Sequence, residues 1–284
     1  MIIELALKGV TPFWLAAARI SIAAVITNII WFFSNKQLFQ THSKDWPTLI
    51  FSGVFATAAP FIALSWGQQY VTSAFAGISM ASVALLVLPL SYLFVTSEKI
   101  TTTTVLGIFC GFCGVFILLG PEVFMASNDA REKYGRLACL FATFCYATSA
   151  VLTRRLPPID PIGLAAVSLT SGAIFVIPAA WLIEGGPPIV SKQTLFYLFI
   201  LGIFPTAAAT FLRILIIRTA GPVFMTLTNF QVPVWSVFFS ILILNEPFKI
   251  SMLLALALIL SGLLINQTSG IKEIIKTKLR NNNL

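Results

Sequence analysis

Polar and aromatic side chains recur at helical spacing inside the most apolar parts of this 284-residue chain. In the run 47–69, Thr57, Phe61, Leu64 and Gln68 share one helical face, and the following run supplies Ser79, Ser82 and Tyr92. Adding 149 positions maps the first face onto Thr206, Thr210, Arg213 and Ile217, after which Thr228, Gln231 and Trp235 stand at i, i+3 and i+7. Hydroxyls, an amide and an indole in such places suit the binding of a small polar solute by hydrogen bonds and stacking. The bland alternative is interhelical hydrogen bonding, worth roughly 0.6 kcal/mol per contact. Arg19 is the deepest charge, seven residues into its run. It reads as a tie to the headgroups or to a backbone carbonyl, or as the attractor of an anionic solute group. Arg213, four residues from the end of its run, reads as a headgroup-level anchor.

Bond-making chemistry lacks its parts. Cys110-Gly-Phe-Cys113 has redox or zinc spacing but sits among Gly107, Gly111 and Gly114, with no second ligand pair and a single histidine, His42. No phosphate-cradling Gly-x4-Gly-Lys loop occurs, and no Asp lies within a run. No catalytic residue, metal or cofactor is expected. Without a buried carboxylate, proton coupling falls to Glu4, with Arg19 and Tyr92 as its companions, and a facilitator needing no coupling ion is the other reading.

The elements that must position these residues are set by composition. The chain is 58% hydrophobic and 10% charged, with a mean hydropathy of +0.93. A soluble domain carries about 25% charged residues. Lipid is therefore the expected solvent. Apolar runs of about 20 residues fall at 12–33, 47–69, 73–96, 101–119, 135–153, 161–183, 194–217, 222–244 and 248–266. The reading is an all-α, multi-pass transmembrane helix bundle of nine full spans, since a backbone in lipid must bond within itself. The net charge of +8 does not indicate nucleic acid, because the cations cluster in the gaps and the tail. All four Cys lie inside runs, which excludes a disulfide framework.

A duplication organises the runs. Gly53-Val-Phe-Ala-Thr-Ala-Ala59 returns 149 positions later as Gly202-Ile-Phe-Pro-Thr-Ala-Ala208. A repeat inside a membrane bundle is the usual trace of a secondary transporter with its site between the halves. The expected division is 1–119, a solvated loop at 120–133, 134–267 and a basic tail at 268–284. Close packing is expected between the span of Gly107, Gly111 and Gly114 and the last span, through Ala257 and Ser261.

These features resemble the drug/metabolite transporter superfamily, in its form with two EamA repeats. The markers are Pro12 followed by Arg19 in one span, and paired spans closing on Thr96-Ser-Glu98 and Leu244-Asn-Glu246, with Pro233 thirteen residues before Glu246. The first half departs from this, with Leu85 at that offset and Pro89 nearby, and Ser168 stands where Arg19 would repeat. The resemblance implies ten spans, five per repeat, so residues 1–12 read as the end of a first span whose earlier part is absent. Five spans per half would invert the second repeat relative to the first. It also implies export of amino acids or related metabolites by alternating access, with drug or vitamin transport as the alternative. A non-transporting accessory membrane protein is the rival from another class.

Charge orients the bundle. With the C-terminus in the cytoplasm, Lys36, Lys44, Lys99, Arg154, Arg155 and Arg218 join Lys272, Lys276, Lys278 and Arg280 inside. Lys8, Arg131, Lys133, Arg136, Lys192 and Lys249 face out, a moderate positive-inside bias. The expected setting is a bacterial-type inner membrane, with a small-molecule substrate and the bilayer as partners and homodimerisation left open.

Overall fold

The computed structural model describes residues 2–34, 36–94, 102–119, 130–225, 231–244, 250–262 and 264–265. Among the described residues the chain is helical, with an isolated backbone bridge between Phe39 and Ile159. In chain order the helices are α1 (Ile2–Leu7), α2 (Pro12–Ser34), α3 (Trp46–Ala56), α4 (Ala58–Gly67), α5 (Ser73–Phe94), α6 (Thr102–Leu119) and α7 (Ala130–Arg155). There follow α8 (Pro161–Glu184), α9 (Lys192–Gly202), a π-helical turn over Ile203–Ala208, α10 (Ala209–Thr219), α11 (Pro222–Met225), α12 (Gln231–Leu244) and α13 (Ile250–Gly262).

Among the described residues, six helical segments are long and apolar enough to cross a membrane: Pro12–Ser34, Trp46–Gly67, Ser73–Phe94, Arg131–Arg155, Pro161–Glu184 and Lys192–Thr219. The remaining three expected runs differ in length. The first and last contain shorter apolar helices, Val105–Leu118 and Ile250–Gly262. The run 222–244 holds α11 and α12, with 226–230 outside the described residues. The expected loop at 120–133 also changes at its end, because Ala130–Lys133 already form the first turn of α7. Glu98, Thr228, Glu246 and the tail lie outside the described residues.

Sequence punctuation explains the helix starts. Pro12 and Pro161 open α2 and α8, where a missing N–H costs no intrahelical bond. Asp160 caps α8, its Oδ2 accepting from Gly163 N at 2.8 Å, and Asp45 caps α3 by accepting from Thr48 N at 3.1 Å. The N-terminus of α2 is capped from a distance. The Glu184 carboxylate, at the end of α8, accepts from Phe13 N and Trp14 N at 3.1 Å each and from the Thr11 hydroxyl. Trp14 Nε1 adds a bond to Gly185 O at 3.0 Å, and its ring meets Trp181 edge-on.

The halves interleave. The largest helix–helix interfaces join residues before 119 to residues after 130: α2 with α8, α5 and α4 with α7, α12 with α5, and α3 with both α8 and α7. Small residues make the approach possible, as Ala16, Ala17, Ala23, Ala173 and Ala180 are buried between α2 and α8. The outward faces carry Phe32, Phe33, Phe109, Leu182 and Ile183, all exposed, as a lipid-facing surface requires.

α6 and α13 pack closely, as expected from their small residues, but through a different face of α13. A Cβ on Gly114 would fall 2.8 Å from Ala255 O, and one on Gly262 would fall 2.4 Å from Gly107 O. Cys110 Sγ lies 3.6 Å from Leu258 O. Ala257 and Ser261, the expected contacts, are exposed, whereas Ala255, Ile259 and Gly262 face inward. The inward stripe thus runs at i, i+4 and i+7, one step round the helix from the small-residue pair.

Candidate functional site

Both copies of the repeated heptapeptide are helix breaks, and each break has a proline behind it. In the second copy, Pro205 offers no N–H, so the α-helical bond to Leu201 O cannot form. The chain takes a π-helical turn there, and the Thr206 hydroxyl donates to the orphaned Leu201 O at 2.6 Å. In the first copy, Pro60 likewise cannot bond Ala56 O. The helix parts at Thr57 (φ −132°, ψ −73°), which separates α3 from α4. Thr57 Oγ1 donates to Gly53 O at 2.8 Å and is fully buried against Gly172 of α8.

The first glycine of each copy packs on the other half. A Cβ on Gly53 would lie 2.8 Å from Ser168 Cα and 3.0 Å from Ser168 O, on α8. A Cβ on Gly202 would lie 2.6 Å from Ile22 Cγ2 and 3.3 Å from Arg19 O, on α2. This accounts for Ser168 at the position related to Arg19: α3 rests directly on the backbone there.

Arg19 ties the site together. Its Nε donates to Thr206 Oγ1 at 3.0 Å, so Thr206 accepts from α2 while donating to Leu201 O. Its guanidinium also lies 4.1 Å from the centre of the Phe61 ring. Phe61 meets Tyr146 of α7 edge-on at 6.3 Å, and the Arg213 guanidinium lies 5.3 Å from the Tyr146 ring. Arg213 Nη2 donates to Tyr146 O at 2.9 Å and to Ser149 Oγ at 2.7 Å. Two guanidiniums therefore bracket an aromatic pair, contributed by α2, α4, α7 and α10. Among the described residues no carboxylate bonds to either cation, and the Nη1 and Nη2 groups of Arg19 donate to nothing.

A profile of the EamA-like transporter family matches residues 1–120 and again 133–268. The chain belongs to the EamA-like transporter family. It is 24% identical over 267 residues to the uncharacterized transporter YoaV of Bacillus subtilis, covering 93% of this chain and 89% of that one. To the uncharacterized transporter YetK of the same organism it is 25% identical over 269 residues, covering 92% and 80%. An uncharacterized transporter of Clostridium kluyveri is 24% identical over 234 residues, covering 81% and 74%. A solved crystal structure of a protein shares the fold with a TM-score of 0.69 at 18% identity, covering 93% of this chain and 90% of that one.

In this EamA-like chain the structure gathers Arg19, Phe61 and Thr206, and Thr210 is buried one turn beyond Thr206. Thr57 belongs to the break in the other copy of the heptapeptide. Gln68 lies apart, at the end of α4, on the wall of a cavity of about 490 Å³ that includes Glu4, Lys8 and Thr72. Glu4 there accepts from Ser73 Oγ at 2.9 Å; the companions expected for it, Arg19 and Tyr92, are not on that wall.

Tyr92 and Trp235 do not join the cluster. Tyr92 is 43% exposed near the end of α5. Trp235 is 52% exposed, its ring stacked with Phe239 and edge-on to Phe238 of its own helix. Gln231 begins α12, one turn before Trp235. The expected pairing of Thr206 with Trp235 gives way because α12 packs on α5, away from the π-turn. The reading of Arg213 as a headgroup anchor is also corrected: its guanidinium turns inward to α7. Tyr146 carried no polar or repeat signal of its own. An aromatic within reach of two in-span arginines is visible only once α7 is placed between α4 and α10.

Proposed function

We propose that this EamA-like protein is a secondary transporter of small organic metabolites, an exporter of amino acids or related solutes working by alternating access. The observation that carries this reading is Arg19 on one half bonded to the broken helix of the other. Discontinuous helices at the junction of two repeats are where such carriers place their substrates, because interrupted backbone leaves polar groups that a solute can satisfy. The two breaks fall at equivalent places in the repeat, and an inverted arrangement of five elements per half accounts for that. The proposed binding group is Arg19, Thr206 and Thr210, with Phe61 as the aromatic wall and Thr57 as the mate of Thr206. The Nη groups of Arg19 suit a solute carboxylate, held as a bidentate pair. The setting proposed is the inner membrane with the C-terminus in the cytoplasm.

The test is flux in proteoliposomes containing purified protein, read with labelled amino acids. Wild type should exchange at least one of them, and Arg19→Gln should reduce the rate about tenfold or more, the loss of a charge-assisted hydrogen-bond pair. Folded Arg19→Gln protein carrying solute at the wild-type rate would overturn the site. Wild type that moves no amino acid would overturn the substrate reading.

A further inference from the structure

We infer that the second guanidinium, Arg213, makes this a site for acidic solutes: small molecules carrying two negative groups, such as dicarboxylates or acidic amino acids. The inference rests on the transporter reading and deepens it. Arg19 and Arg213 come from opposite halves of the chain, on α2 and α10, and both face the Phe61–Tyr146 pair. Each spends few of its five N–H donors. Arg19 uses Nε, and Arg213 uses Nη2, on the Tyr146 carbonyl and the Ser149 hydroxyl. Those acceptors are neutral and leave both positive charges without a counter-ion among the described residues. Five carboxylates lie among the described residues, and each is engaged elsewhere. Glu4 takes Ser73, Asp45 caps α3, and Glu132 pairs with Arg136. Asp160 caps α8 beside Lys36, and Glu184 caps α2.

Two cations in a low-dielectric interior repel one another and lose hydration, so the site is electrostatically incomplete when empty. A neutral solute leaves that imbalance as it was. A monocarboxylate corrects half of it. A solute with two anionic groups, spaced to reach past the aromatic pair, neutralises both guanidiniums and satisfies their open donors in one step. The rings between them contribute an apolar wall for the carbon chain joining the two anionic ends, and their faces already favour cations along the rim.

The experiment compares L-glutamate with L-glutamine, which match in shape and differ in one charge, and adds succinate, in proteoliposomes of wild type, Arg213→Gln and Arg213→Lys. Wild type should move L-glutamate and succinate about tenfold faster than L-glutamine at low concentration. Arg213→Gln should bring the glutamate-to-glutamine ratio close to one while L-glutamine flux persists, and Arg213→Lys should retain most of the preference. Should Arg213→Gln fail to fold, competition in wild type reads the same quantity: excess succinate should suppress L-glutamate flux, and the neutral diamide succinamide should not. A wild-type protein that moves L-glutamine as fast as L-glutamate overturns the inference and leaves the transporter reading standing. So does a folded Arg213→Gln variant with an unchanged ratio, which would make Arg213 a tie between α10 and α7. No flux of any of the three overturns the acidic-solute inference, while flux of other amino acids in the same vesicles keeps the broader reading alive.

Discussion

Arg19 Nε and Thr206 Oγ1 stand 3.0 Å apart across 187 residues of sequence, joining α2 to the π-helical turn of the opposite half. The bond works because Thr206 has its proton committed. Its hydroxyl donates to Leu201 O, the carbonyl left open by Pro205, and so presents a lone pair to Arg19. Removing the hydroxyl should therefore cost twice. Thr206→Val keeps the shape but leaves Leu201 O and Arg19 Nε without partners, and a loss of about 1–3 kcal/mol is expected for each unsatisfied buried group. Thermal melting in detergent should fall in Thr206→Val and recover largely in Thr206→Ser. Equal melting temperatures for valine and threonine would mean that the bond is not formed.

The two repeated glycines predict damage at both positions. Alanine at Gly53 drives its methyl into the Ser168 backbone, which cannot yield without moving α8. Alanine at Gly202 puts its methyl 2.6 Å from Ile22 Cγ2 and 2.8 Å from Ile22 Cβ, and a rotamer change leaves that Cβ in place, so α2 must move as well. Both Gly53→Ala and Gly202→Ala should lower stability by about 1–3 kcal/mol, the usual cost of overpacking. Chemical denaturation of the two variants beside wild type measures the loss, and unchanged stability in either would count against the cross-half packing.

Glu184 supplies the N-terminal cap of α2 from the end of α8. Glu184→Ala should destabilise by about 1 kcal/mol, as the loss of a capping group does, while Glu184→Gln keeps an amide oxygen to accept and should cost less. Solute preference should stay unchanged in both, since the capping bonds reach Thr11, Phe13 and Trp14 and none of Arg19, Phe61 or Thr206. A shift in preference would tie this end of the bundle to the site.

Orientation follows from a cluster of cations at one end. Arg154 donates to Arg218 O, and Arg218 donates to Leu156 O at 2.6 Å and Pro157 O at 2.8 Å, so the ends of α7 and α10 are held together by arginines. Lys36 joins them, 3.7 Å from Asp160. That end should face the cytoplasm. A reporter fused after Leu284 should behave as cytoplasmic and one inserted within 120–133 as external; the opposite pair of results would reverse the bundle.

The sequence alone determined the solvent, the helices and the duplication. Twenty-residue apolar runs in a chain with 10% charge leave lipid as the surroundings, and backbone hydrogen bonding then dictates helix. Pro12 and Pro161 open helices through local stereochemistry, which needs no partner. The repeated Gly-x-Phe-x-Thr-Ala-Ala placed Thr57 and Thr206 at equivalent points, and Arg19 stood out as a charge too deep to ignore. Which face of each helix turns inward was decided only by tertiary packing. Hydrophobic periodicity loses its meaning when both the core and the solvent are apolar, so a helical wheel cannot tell lipid from interior. That is why Trp235 and Tyr92 were expected inside and stand exposed, and why Arg213 was expected at the headgroups and turns toward Tyr146 and Ser149. It also explains the shift on α13 from Ala257 and Ser261 to Ala255, Ile259 and Gly262. The breaks at Thr57 and in Ile203–Ala208 belong to both levels: proline made them locally, and the packing of each half on the other gave Arg19 a threonine to bind.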